Sequence, residues 1–573
     1  MLRLAFLLVL ALSPSIAPCQ DTSLAGIWYD KRWFGPELRG ELLVHRTASG
    51  WEARIAGRDA EYRGADDRIV FDFPSGGTFR GRLDTAKARI VGHWVQPVTA
   101  ITGERYATPL ALVPCGENCY SGPVAPLEDT YTVYLQVKAR SDGKLGVLVR
   151  NPERNQGRFI PAPGTQYVVR RGDTVVFRNA RDSSVFTTVL QGGVLPVSLP
   201  GMGFDLARTA PDSFTNFYAR GRPASRYVYR VPRALADGWR VANARDVGLS
   251  LEKITELMQW IVGSSTDSSN AYRPHGILVA RHGKLVVEEY FFGEHAGKPH
   301  DTRSASKTLV NIVMGAAMER GIKVSPATSV YATMGLRSDT LDPRKRAMTL
   351  EHLLTMTSGL DCDDFNDPEK PGSEDTFRGR TPTDWVTAAL SLGMLRAPGA
   401  QAVYCSINPF LASAVLSRVA GKWFPDLAWE LVGEPLQMSR YYLNLTPQGE
   451  AYMGGGAYFR ARDFLKLAQL YANGGVWKGR RVVSEAWIRE SVKPRFAIGA
   501  TTNYGYLWWT SEYTHKGKRI LAHMASGNGG NFSIFVPDLD LVIVSTGGNY
   551  SDRAAFRMLT EIIPKYILPS VVE

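Results

Sequence analysis

The sequence predicts a multidomain protein. An N-terminal antiparallel all-β module, a sandwich or a barrel, is followed by an α/β domain that combines an antiparallel sheet with a helical lobe. Three observations predict this. From about Ala25 to Arg233 the chain reads as short strands between turn residues. Near Val247 the texture changes, and helical text dominates from Lys307 to about Val492. Strand text then returns at 531–545, so the two ends of the second domain supply a sheet around a helical middle. A chain of 573 residues has room for roughly two to four domains.

In chain order, residues 1–20 have the layout of a secretory signal peptide. Met1-Leu2-Arg3 gives a charged start, Leu4 to Leu12 an apolar run too short to span a bilayer, and Ser13-Pro14 leads to small residues around Ala17. Proline before Cys19 is the wrong residue for a lipoprotein box. The expectation is an exported protein, periplasmic or extracellular, with no integral span after signal removal. Residues 21–235 form the β-rich accessory module, one or two small folds split near 114–123. Its strands include 41–45, 68–73, 88–94, 130–137 and 173–177. Residues 245–573 form the second domain. Leu251 to Ile261 is an amphipathic helix with Ser250 as N-cap. His275 to Tyr290 reads as a β-hairpin turning at His282-Gly283.

Composition is that of a folded chain: 44% hydrophobic and 21% charged residues. The 67 Lys and Arg against 55 Asp and Glu leave +12, but the basic residues are spread along the chain. Nucleic-acid binding concentrates such charge in patches, so none is expected here. Export implies oxidised cysteines. Cys115 and Cys119 flank a short turn, which leaves Cys362 and Cys405 as the second pair. No Cys and His cluster has zinc spacing.

Three stretches carry chemistry. Ser304-Ala305-Ser306-Lys307 is a Ser-x-x-Lys at the entry to an apolar helix. Positions i and i+3 share a helix face, so the lysine can take the proton that a serine must lose to become a nucleophile. Tyr404-Cys405-Ser406 opens a second apolar helix, and a tyrosine placed between a lysine and a serine can work as base and then acid. Ala525-Ser526-Gly527-Asn528-Gly529-Gly530 precedes a strand. There the backbone N–H of Asn528 and that of Ser304 can form an oxyanion hole.

With Leu350-Glu351-His352-Leu353-Leu354-Thr355-Met356-Thr357-Ser358-Gly359-Leu360, Pro398-Gly399, Met453-Gly454-Gly455-Gly456, 471–477, 504–509 and 536–542, these stretches resemble, in order, the serine β-lactamase-related family. That family contains class C β-lactamases, penicillin-binding proteins, family VIII carboxylesterases and 6-aminohexanoate-oligomer hydrolases. The resemblance implies a β-lactamase-like (DD-peptidase-like) fold from 245 to 573. It also implies an acyl-enzyme on Ser304 with Lys307 and Tyr404 as acid/base groups, and no metal or cofactor. Substrate contacts then fall to Ser406, Ser526, Gly527, Tyr504 and Trp508. Two positions depart from class C: Ser406 replaces an asparagine, and Ala525 replaces the lysine or histidine whose charge would hold a carboxylate. His523, two residues earlier, is the one candidate to compensate. The loop bearing Asp361, Asp363, Asp364 and Asp367 reads as solvated. The expected activity is hydrolysis of a small ester, amide or peptide-like substrate. The alternative is a penicillin-recognising sensor that acylates without turnover.

Overall fold

The computed structural model describes residues 22–572 apart from 49, 66–67, 75, 154–165, 180–182, 200–201, 211–215, 222–225, 265–270, 337–340, 381–383 and 499–501. The expected signal peptide lies outside these residues. The chain divides into two compact units. One collects the described residues of 1–30, 133–150 and 158–213, the other those of 31–132, 151–157 and 214–573.

The first unit is an eight-stranded antiparallel sheet whose end strands, Val185–Val189 and Val194–Leu199, are consecutive in the chain. The sheet therefore curls until its edges nearly meet, which blunts the exposed edge of an open sheet. Alternating residues such as Phe204 and Leu206 fill its interior.

The second unit contains another curled antiparallel sheet and the α/β region. Gly40–Thr47 shows the expected alternation, with Leu42 and Val44 inside and Glu41 and Leu43 exposed. Those inner residues join Phe71, Phe79, Ile90, Trp94 and Leu112 in one core. The split anticipated near 114–123 is not found. Those residues are a β-hairpin, Arg105–Gly116 with Cys119–Val124, bridged by Cys115–Cys119. The β-rich region is instead divided because the chain leaves the first sheet after the strand Gly26–Trp33 and returns to it with Thr130–Ala139.

This curled sheet is continuous with the α/β region. Arg105, Tyr106 and Ala107 pair antiparallel with Leu445, Asn444 and Leu443 of Tyr441–Leu445. Around that seam Arg82 pairs with Glu430, Arg89 with Glu434, and buried His93 with Asp426 at 2.8 Å.

The α/β region is built on a nine-stranded sheet. Its centre runs Lys284–Tyr290, Pro274–Arg281, Leu541–Gly547, Asn531–Val536, Lys518–Gly527 and Trp509–His515. The inner strands Pro274–Arg281, Leu541–Gly547 and Asn531–Val536 are buried on both faces, as a doubly covered sheet requires, whereas Trp509–His515 is exposed at alternate positions. Ile277, Val279, Ile534 and Ile543 pack with Leu257, Met258 and Ile261 of the helix Leu251–Gly263 and with Met558, Ile562 and Ile563. Leu278, Ala280, Val542 and Val544 face the helical lobe, whose core includes Phe464, Leu465 and Ala468. Local signals explain the ends. Ser250 Oγ accepts from Lys253 N at 3.3 Å, and His282 and Gly283 both take positive φ at the hairpin turn. No helix among the described residues is long and apolar enough to cross a membrane.

Candidate active site

Ser304 sits on a 3₁₀ turn, Arg303–Lys307, that feeds the buried helix Thr308–Glu319. The turn is held from both sides. Thr302 donates through N and Oγ1 to Ala457 O at 3.0 and 2.7 Å, and Thr308 Oγ1 donates to Leu507 O at 3.0 Å. Arg303, just before the serine, takes φ +50°, with its N on Asp301 Oδ1 at 2.8 Å and its guanidinium 4.6 Å from the Tyr550 ring centroid. The Asp301 charge holds Arg303 firmly protonated.

Lys307 is 2% exposed. Its Nζ donates to Ser304 Oγ at 2.8 Å and to Gly454 O, and lies 5.0 Å from the centroid of the Tyr404 ring. Tyr404 is fixed by a parallel stack on Phe365 at 4.3 Å and by Trp509 at 5.6 Å. Its chain segment is tied to the 361–367 loop by the Cys362–Cys405 disulfide and by Asp364 N donating to Tyr404 O at 2.9 Å.

The strand Lys518–Gly527 closes the other side. A Cβ on Gly527 would lie 2.1 Å from Thr302 O and 3.0 Å from Ala305 N, so only glycine lets the strand reach the serine turn. Next to it, Asn528 O accepts from Asn531 Nδ2 at 2.7 Å and Asn528 Oδ1 from Ser551 N at 2.9 Å. Ser304, Tyr404, Trp509, Ser526, Gly527 and Asn528 line one cavity of about 1420 Å³, with residues of the curled sheet, including Glu104, on its far wall. Ser304, Lys307, Tyr404, Ser526, Gly527 and Asn528 are thus brought together.

Other expected site residues are elsewhere. Trp508 is fully buried between Tyr471 and Phe535, and Tyr504 is buried against Trp509. Neither lines the cavity; Trp509 does, because adjacent residues entering a strand face opposite ways. Ser406 is also buried: its N and Oγ both contact Asp364 Oδ2 at 2.7 Å, and Oγ lies 3.2 Å from Glu374 Oε2. It binds carboxylates of the protein rather than facing the cavity. His523, within the strand Lys518–Gly527, is buried with Nδ1 2.9 Å from Thr510 Oγ1, and burial lowers its pKa to about 4. It is neutral at pH 7 and does not replace the missing cation.

Sequence reasoning missed the carboxylates. The 361–367 loop is not solvated at Asp364, which accepts from Ser406 and, through Oδ1, from Glu374 N at 2.8 Å. Burial raises the pKa of both Asp364 and Glu374, against the opposing pull of Lys307. The one signal in the sequence was Ser406 beside Tyr404, a hydroxyl in a buried place that must find acceptors. Among the described residues no group of three or more His, Cys, Asp or Glu side chains is placed to hold a metal ion.

The arrangement can deprotonate a serine facing a cavity and offer backbone N–H groups beside it. Comparison with known proteins bears on which chemistry this is. The sequence pattern of the beta-lactamase family matches residues 252–556, over half of the chain. A 6-aminohexanoate-dimer hydrolase of Paenarthrobacter ureafaciens is 26% identical over 234 residues, covering 40% of this chain and 59% of that protein. The chain therefore spans under two thirds of that curated relative. Among solved structures, a putative 6-aminohexanoate-dimer hydrolase from Bacillus anthracis has a TM-score of 0.44 at 16% identity, over 58% of this chain and 85% of that one. A family VIII carboxylesterase has 0.43 at 18%, over 55% and 97%.

Proposed function

The chain belongs to the beta-lactamase family, and we propose that it is an exported serine hydrolase that cleaves an ester or amide through an acyl-enzyme on Ser304. The observation that carries this reading is the 2.8 Å hydrogen bond from Lys307 Nζ to Ser304 Oγ at the cavity wall.

In the proposed reaction Ser304 Oγ attacks the substrate carbonyl and its proton passes to the Lys307 amine. The oxyanion is held by the N–H groups of Ser304 and Asn528. The proton is delivered to the leaving alcohol or amine, with Tyr404 as the acid, and the bond to that group breaks. Water then attacks the ester carbonyl of the acyl-enzyme, its proton returning through the same groups, and Ser304 is released. The family match and the name of the curated relative, a hydrolase, support a hydrolytic reaction. Ala525 and the buried, neutral His523 leave that strand without a cation for a substrate carboxylate, so a charged substrate group would have to pair with another cation of the cavity, such as Arg303. Export is supported by the two disulfides, Cys115–Cys119 and Cys362–Cys405.

Hydrolysis of p-nitrophenyl butyrate tests the reading. Ser304→Ala is expected to abolish it, and residual activity within about tenfold of the parent contradicts it. A penicillin adduct that forms on Ser304 and persists without hydrolysis would favour the sensor alternative.

A further inference from the structure

We propose that Glu104, carried by the N-terminal curled sheet, is a positioning residue for the site: it anchors Arg378, which sets the Glu374 carboxylate facing Lys307. The inference rests on Lys307 being the base that activates Ser304.

Glu104 lies immediately before the strand Arg105–Gly116, whose first residues pair with Tyr441–Leu445 of the α/β region. That seam fixes the backbone, so the side chain is delivered to the cavity wall at a set place. There Glu104 Oε1 forms an ion pair with Arg378 Nη2, and Oε2 accepts from Tyr106 OH at 3.2 Å. Arg378 belongs to the short helix Glu374–Gly379. Its Nη1 stands 3.6 Å from Glu374 Oε1, and its guanidinium 5.3 Å from the Tyr452 ring centroid. Tyr452 OH donates to the same Glu374 oxygen at 3.0 Å, and Ser406 Oγ lies 3.2 Å from the other. Ser406 Oγ is also 2.7 Å from Asp364 Oδ2. A hydroxyl carries one proton, so it cannot donate to both carboxylates at once. The Glu374 charge therefore depends on what else faces it.

The charged and titratable groups around this point come from several elements. They are Lys307 and Arg303 on the serine turn, Asp364 on the disulfide-tied loop, and Tyr404 on its own segment. Tyr452 comes from the segment before Gly454, Arg378 from the helix, and Glu104 from the curled sheet. Only Glu104 comes from outside the stretch that matches the family pattern. Its negative charge offsets Arg378. Without it, Arg378 turns its whole field on Glu374 and Lys307, and a protonated lysine becomes less favourable. Without Arg378 the sign reverses.

The test is the pH profile of kcat/KM for p-nitrophenyl butyrate, on the full chain, with thermal melting recorded in parallel. The rising limb of that profile is expected to move down by at least about 0.3 pH unit in Glu104→Gln, up by a similar amount in Arg378→Gln, and back toward the parent in Glu104→Asp. A purely structural role would lower the melting temperature and the rate without moving the limb in opposite directions. Glu104→Gln is nearly isosteric and partly exposed, so its shift decides the matter if Arg378→Gln does not fold. An unmoved limb in Glu104→Gln, with Ser304 still labelled by a fluorophosphonate, overturns this inference and leaves the Ser304 reading standing. An unlabelled Ser304 in the parent overturns both.

Discussion

Gly527 is where sheet and serine turn touch. Adding one methyl there places a carbon 2.1 Å from Thr302 O, and backbone on both sides leaves nowhere for it to go. Gly527→Ala is expected to lower kcat by roughly 10²-fold, because displacement of the strand moves Asn528 away from Ser304. Steady-state kinetics with circular dichroism as a folding check measures this. Lys307→Ala and Tyr404→Phe are each expected to cost roughly 10²–10⁴ in rate. His523 gives a different signature. Burial lowers its pKa to about 4 from an ordinary 6.5, so the fold favours the neutral ring. The unfolded chain binds the proton first as pH falls from 6.5 towards 4, and stability is lost across that window. His523→Gln is expected to flatten that loss in urea denaturation at pH 4, 5 and 7, while leaving the rate at pH 7 unchanged. A parallel pH dependence in parent and variant would contradict the burial argument.

At the scale of elements, the loop 361–367 holds the tyrosine in place. The Cys362–Cys405 bridge, the Phe365 stack and the Asp364–Ser406 hydrogen bonds all join it to the segment of Tyr404. Replacing both cysteines by alanine is expected to cost roughly 2–4 kcal/mol in denaturant unfolding. It should also lower kcat, because Tyr404 loses its fixed neighbour. Elements set by local chemistry were legible from the residues alone. The Ser250 cap and the His282-Gly283 turn each follow from one or two residues. The Ser304–Lys307 pairing was legible because it spans three residues. The faces of Trp508 and Trp509 were not: both are large and aromatic, and only the packing of Tyr471 and Phe535 decides which one is inside. Asp364 was misread as solvated for the same reason, since its partners Ser406 and Glu374 are distant in sequence.

For the molecule as a whole, the curled sheet and the α/β region act as one body. They share strand pairing at Arg105–Ala107 and buried contacts at the seam. Desolvation works against the Asp426 charge, but the close contact with His93 and the charges of Arg80 and Arg82 together outweigh it and lower the Asp426 pKa below the ordinary 3.8. A lowered carboxylate pKa stabilises the fold above the unfolded value and is lost as pH falls through the folded one. Asp426→Asn is therefore expected to cost roughly 1–2 kcal/mol at pH 7, and less as the pH falls below the ordinary 3.8, by denaturation at neutral and at acid pH. That the chain leaves one sheet after Gly26–Trp33 and rejoins it with Thr130–Ala139 was not readable in advance, because strand order is set by pairing between segments a hundred residues apart. The most direct test of the account is intact-mass analysis after fluorophosphonate treatment. One adduct per chain is expected in the parent, with none in Ser304→Ala and slow formation in Lys307→Ala. An adduct of equal stoichiometry in Ser304→Ala would contradict the account.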